Sequence, residues 1–120
     1  MDKTSILMVD DDPNILKFVS ANLEIRGYDV TTAEDGETAL QIIDQIEPNL
    51  VILDLLMPGI DGSDVCREIR KSSNVPIIIL TAIGESNTRT ELLNLGANDY
   101  VTKPFDIRDL LDRVQSILDD

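Results

Sequence analysis

The strongest constraint on the fold is an alternation repeated five times along 120 residues. Short apolar runs give way to longer stretches in which apolar residues return every three or four positions. The runs are Ile6-Leu7-Met8-Val9, a weaker one from Tyr28 to Thr32, Leu50 to Leu53, Ile77 to Leu80, and Tyr100 to Thr102. Between them stand Ile15, Phe18, Val19 and Leu23, then Ala39, Leu40, Ile43 and Ile46. Val65 and Ile69 follow, then Leu92 and Leu95, and finally Leu110, Leu111, Val114, Ile117 and Leu118. A run apolar at every position suits a strand buried on both faces, and a helical period between such strands makes parallel βα units. The predicted fold is α/β, a (βα)5 doubly wound parallel five-stranded sheet.

Punctuation supports these elements. Asp12-Pro13 reads as an N-cap followed by proline at the first helical position. Asp106, with Asp109 three residues later, marks the start of the last helix. Gly27 and Gly96 stand where a helix ends in a left-handed residue, and Pro48 stops the second helix. No linker or low-complexity stretch interrupts the chain, so residues 1–120 are expected to be one domain.

Composition removes whole classes of function. The single cysteine, Cys66, excludes an internal disulfide and zinc-ligand spacing. With no histidine, a Ser-His-Asp triad and His-based metal sites are excluded as well. A net charge of −13 opposes direct binding to nucleic acid or to an anionic membrane. No apolar run reaches membrane-spanning length, and Met1-Asp2-Lys3-Thr4-Ser5 lacks the apolar core of a secretory signal. The expected location is cytoplasmic.

In an open parallel sheet, ligands bind at the carboxyl ends of the strands. Here the first run ends in Asp10-Asp11-Asp12, the third in Asp54, the fourth in Thr81 and the fifth in Lys103-Pro104. Carboxylates gathered about 4 Å apart repel by roughly 1 kcal/mol in water and about 4 at an effective dielectric of 20. A hard divalent cation removes that repulsion, and Mg²⁺ suits a site of few carboxylates that keeps room for a phosphate oxygen. A carboxylate so placed is a nucleophile toward a phosphoryl group, whose transfer needs chiefly positioning and charge neutralisation. Plainer readings stand beside these. Asp12 reads as a helix cap rather than a ligand, and Asp10 and Asp11 could form a solvated strand-end loop. A turn or cap would account for Asp54, a strand hydroxyl for Thr81, and a surface amine for Lys103. Cys66 reads as a small, half-buried side chain of the third helix and Tyr100 as a half-buried strand aromatic.

The ordered stretches Ile6-Leu7-Met8-Val9-Asp10-Asp11-Asp12, Val51 to Gly59, Ile79-Leu80-Thr81-Ala82 and Gly96 to Phe105 resemble the response-regulator receiver domain of two-component signalling. The likeness runs over essentially the whole chain and is nearest to receivers of the OmpR/PhoB type, which regulate transcription. It implies strand order 2-1-3-4-5 and phosphorylation of Asp54 by a sensor histidine kinase or a phosphotransfer protein. It further implies Mg²⁺ on Asp11, on Asp10 largely through water, on Asp54 and on the Leu56 backbone carbonyl. Lys103 would meet the acyl phosphate, before a cis bond to Pro104. Thr81 and Tyr100 would be the switch pair, read out on the fourth helix, fifth strand and fifth helix.

Two finer expectations follow from the resemblance. Arg89 with Asp109, and Asp99 with Arg113, match salt-bridging positions of a homodimer through that surface, whereas Asn98 and Asp120 do not supply a further pair. Leu56 and Ile83 would flank the path of the hydrolytic water, so self-dephosphorylation is expected to be slow. Two other chemistries fit less well. A phosphatase of the haloacid dehalogenase class needs a second Asp two residues after the first, where Leu56 stands. A flavodoxin-like cofactor binder needs a loop free of acids after the first strand. A receiver-like interaction module that is never phosphorylated is the remaining alternative.

Overall fold

The computed structural model describes residues 3–57, 59, 61–82 and 89–119, with residues 89 and 90 described by their backbone alone. Its strands are β1 (Ser5–Val9), β2 (Asp29–Ala33), β3 (Leu50–Asp54), β4 (Ile77–Ala82) and β5 (Asp99–Lys103). Its helices are α1 (Pro13–Ile25), α2 (Gly36–Ile46), α3 (Gly62–Arg70), α4 (Arg89–Asn94) and α5 (Ile107–Leu118). All strand pairs are parallel, in the order β2-β1-β3-β4-β5.

Two-residue periodicity divides the strand side chains between two cores. Leu7, Val9, Val51, Leu53, Ile77 and Ile79 pack with Ala39 of α2, Val65, Cys66 and Ile69 of α3, and Leu92 of α4. Their neighbours Ile6, Met8, Leu50, Ile52, Ile78 and Leu80 face the other way. They pack with Leu16, Val19 and Leu23 of α1 and Leu110, Leu111 and Val114 of α5. Both faces of β3 are thus covered, which is why every position from Leu50 to Leu53 is apolar.

Helix ends follow from local chemistry. The Asp12 side chain accepts from Asn14 N–H, Asp35 from Thr38, Asp61 from Asp64 and Asp106 from Arg108. Beyond α1, Gly27 adopts φ 95°, and the Tyr28 and Gly27 amides return to the Leu23 and Glu24 carbonyls at 3.2 and 2.9 Å. Gly96, at φ 100°, closes α4 in the same manner, with bonds from Ala97 to Leu92 and from Gly96 to Leu93. α2 ends on Glu47 at φ 45°, a left-handed conformation unusual for a residue with a Cβ.

Four strands extend further than their apolar runs, β1 by Ser5 at its start. β3 includes Asp54, β4 runs through Thr81 and Ala82, and β5 covers Asp99 and Lys103. Hydrogen bonding between neighbouring strands, not hydrophobicity, sets these ends; Leu55 N–H still donates to the Leu80 carbonyl at 2.9 Å. β2 begins at Asp29 and ends at Ala33, one residue later at each end than the run from Tyr28 to Thr32.

Candidate functional site

Register alone brings the site together. Val9 of β1 pairs with Leu53 of β3, so Asp10 and Asp54 emerge side by side. Asp54 pairs with Leu80 of β4, leaving Thr81 one step further, and Ala82 pairs with Lys103 of β5. Four strands therefore deliver two carboxylates, a hydroxyl and an ammonium to one edge of the sheet.

Carboxylate oxygens of Asp10, Asp11 and Asp54 lie within 4.8 Å of one another. Asp10 is 0% exposed and Asp54 4%, whereas Asp11 faces solvent. Lys103 Nζ lies between the buried pair, 2.9 Å from Asp10 Oδ2 and 3.3 Å from Asp54 Oδ2. Asp10 Oδ1 accepts the Asp12 N–H at 2.9 Å, and Asp54 Oδ1 accepts the Leu56 N–H at 3.4 Å. The Lys103–Pro104 bond is cis. Thr81 Oγ1 is buried and has no hydrogen-bond partner among the described residues.

One ammonium between two buried carboxylates leaves the site with excess negative charge. Burial raises the Asp54 pKa first and the charge of Asp10 adds to it; Lys103 and the Leu56 amide pull the other way, and the result is about 6. Burial lowers the Lys103 pKa, but its hydrogen bond to Asp10 and the charges of both carboxylates outweigh that, so the net shift is upward. An all-oxygen donor set with surplus negative charge fits a hard cation such as Mg²⁺.

The model of the response regulator receiver domain matches residues 6–115. The chain belongs to that family. This receiver domain is 49% identical over 118 residues to the probable transcriptional regulator ycf27 of Porphyridium aerugineum, a match covering 98% of this chain and 49% of that one. It is 42% identical to the DNA-binding dual master transcriptional regulator RpaA of Synechocystis, covering 94% and 48%. The receiver domain spans about half the length of these curated relatives. Among solved structures, the receiver domain of Francisella response regulator 1452 is similar with a TM-score of 0.91 at 36% identity, covering 98% of each chain.

The remaining expected residues are placed as follows. Tyr100 is half-buried against the core beneath α2, α3 and α4, and its N–H donates to Asp99 Oδ1 at 2.8 Å. Arg113 bridges two acids of its own chain, Asp99 at 2.7 Å and Asp109 at 3.1 Å. The Arg89 side chain, Ile83 and Asp120 lie outside the described residues. Leu56, 56% exposed, stands beside Asp54 at the rim. Cys66 is fully buried rather than half-buried; its thiol reaches the Leu95 carbonyl at 3.2 Å, and burial pushes its pKa up. Sequence reasoning passed over the caps Asp35 and Asp61, although each acid directly before a helix is a recognisable cap signal. It also passed over the hydrogen bonds of Arg70 and of the Asn98 carboxamide, which no spacing announces.

Proposed function

We propose that residues 1–120 form one receiver domain acting as a phosphorylation-dependent switch, with Asp54 as its phosphoacceptor. The observation that carries this reading is the Asp54 carboxylate, joined to Asp10 through the Lys103 ammonium, with the Thr81 hydroxyl, unpartnered among the described residues, one step past the strand position paired with it. An Asp54 oxygen bonds to phosphorus as the bond from phosphorus to the imidazole of a sensor histidine kinase or phosphotransfer protein breaks. Lys103 moves from carboxylate counter-ion to partner of a phosphoryl oxygen. Asp10, Asp11, Asp54 and the Leu56 carbonyl would hold Mg²⁺, which neutralises the carboxylates and the phosphoryl oxygens when bound.

Thr81 is the natural donor to the new phosphoryl group because its hydroxyl has no bond to break among the described residues. Its movement, followed by inward rotation of Tyr100, alters the face formed by α4, β5 and α5. The product is a phosphorylated protein rather than a turned-over substrate, and exposed Leu56 offers no hydrogen bond to a hydrolytic water, which favours slow self-dephosphorylation. A cytoplasmic location fits these partners; among the described residues, no helix is long and apolar enough to cross a membrane. The names of the relatives point to transcription regulation through a DNA-binding part outside the matched half. A homodimer through α4, β5 and α5 would exchange some intrachain bonds of Arg113 for bonds to a second copy. Light scattering should then report a doubled mass on phosphorylation; an unchanged mass would reject the dimer.

Intact mass after incubation with acetyl phosphate tests the central reading. One added phosphoryl group is expected, dependent on both Mg²⁺ and Asp54 and absent from Asp54→Asn. Its decay over time gives the lifetime. No adduct in the native domain at saturating Mg²⁺ would favour the unphosphorylated interaction module.

A further inference from the structure

Arg70, the last residue of α3, turns its guanidinium onto the α4–β5 connection. Nε and Nη2 donate to the Gly96 carbonyl at 3.1 and 2.8 Å, Nη2 also reaches Asn98 Oδ1 at 3.1 Å, and Nη1 reaches the Ser73 carbonyl at 3.2 Å. Asn98 in turn grips β4: its Oδ1 accepts the Ile77 N–H at 3.0 Å, and its own N–H donates to the Ile77 carbonyl at 2.8 Å. One turn earlier on α3, Cys66 Sγ donates to the Leu95 carbonyl at 3.2 Å. Two successive carbonyls just past α4 are thus tied to α3. The fit is close, since a Cβ on Gly96 would meet Arg70 Cγ and Nε at 2.9 Å.

The other end of α3 rests on the phosphoacceptor strand. Gly62 N–H donates to the Leu55 carbonyl at 2.8 Å. A Cβ on Gly62 would collide with the backbone of Asp54 and Leu55, coming within 2.6 Å of Leu55 Cα. Between these ends, α3 is a continuous helix of nine residues, about 14 Å long at 1.5 Å per residue. It contains no proline and its one glycine is the first residue, so nothing along it absorbs a displacement. Asn98 stands two residues before Tyr100.

We propose that α3 is a strut and Arg70 its positioning residue: the clasp on Gly96 and Asn98 links the state of Asp54 to the placement of the α4–β5 turn and of Tyr100. This route is separate from the Thr81 hydroxyl and rests on the phosphoacceptor reading above. Arg70 touches no reacting atom. Its planar fork serves two acceptors at fixed angles, which a lysine ammonium does not reproduce.

The test uses a Tyr28→Phe background, which leaves Tyr100 as the lone tyrosine in a chain without tryptophan. Intact mass measures phosphorylation by acetyl phosphate, and tyrosine emission measures the Tyr100 response, in the native, Arg70→Met and Arg70→Lys domains. Arg70→Met is expected to take one phosphoryl group as the native domain does, while the Tyr100 response per phosphorylated molecule falls about fivefold. Arg70→Lys, which keeps one donor, should fall between. A purely structural arginine would lower the melting temperature and leave that response whole, and this result overturns the proposal. If Arg70→Met does not fold, Asn98→Ala carries the same expectation and the same refutation. An adduct on the native domain with no Tyr100 response also overturns the strut. No adduct at all removes the phosphoacceptor reading and the strut with it.

Discussion

Asp54 is held in its charged form against the preference of its surroundings. Its carboxyl ordinarily titrates near 3.8 but is pushed up to about 6, first by burial and then by Asp10. The folded state therefore binds that proton more tightly than the unfolded chain. The associated stability is fully present below about pH 3.8 and is lost as pH rises through 6. By linkage, releasing that proton costs the metal-free fold on the order of 3 kcal/mol near pH 7.5; at pH 5, where the folded carboxyl is largely protonated and the unfolded one is not, the cost is roughly half of that. Asp54→Asn removes the charge and keeps the shape, so it should stabilise the metal-free domain by about those amounts at the two pH values. Urea unfolding at both pH values, with a chelator present, checks the widening gap. Saturating Mg²⁺ should narrow it, since a cation held by Asp10, Asp11 and Asp54 would stabilise the native domain more than one from which the Asp54 charge has been removed. An Asp54→Asn domain no more stable than the native one would mean that Lys103 already compensates the charge.

Element boundaries carry a second kind of strain, and they mark how far the sequence could be read. Glu47 ends α2 in the left-handed region at φ 45° and ψ 64°, with its carboxylate near the negative end of the helix dipole. Its side chain is exposed, so replacement by glycine loses no packing. Glu47→Gly should add about 1 kcal/mol, raising the melting temperature by roughly 4 °C; calorimetry would detect it, and an unchanged transition would refute the strain. Proline at position 48 announced the helix end, but nothing in the residue types announced a left-handed glutamate. The same division holds at the site. Asp10, Asp54, Thr81 and Lys103 were legible because each directly follows or closes an apolar run at the carboxyl end of a strand. The Lys103 bridge between two buried acids, the orphaned Thr81 hydroxyl and the Arg70 clasp were not legible. They depend on which strands lie adjacent and on rotamers, and neither is written in local spacing.

At the scale of the molecule, a net charge of −13 means that the folded domain repels itself. Screening at moderate salt should stabilise it: raising NaCl from about 10 to about 200 mM shortens the Debye length from roughly 30 to below 10 Å. Thermal melting of the metal-free domain should shift upward by a few degrees, and a downward shift would show that surface ion pairs outweigh the general repulsion. The sheet order β2-β1-β3-β4-β5 has a temporal consequence too. The carboxylates come from β1 and β3, but the ammonium that bridges them comes from β5, the last strand of this sheet in chain order and so the last of the five to be synthesised. A nascent chain short of residue 103 carries the acids without their counter-ion, so a copy cut before β5 lacks the bridged pocket. Placing the cation on the last strand ties the pairing of the buried acids to completion of the sheet itself.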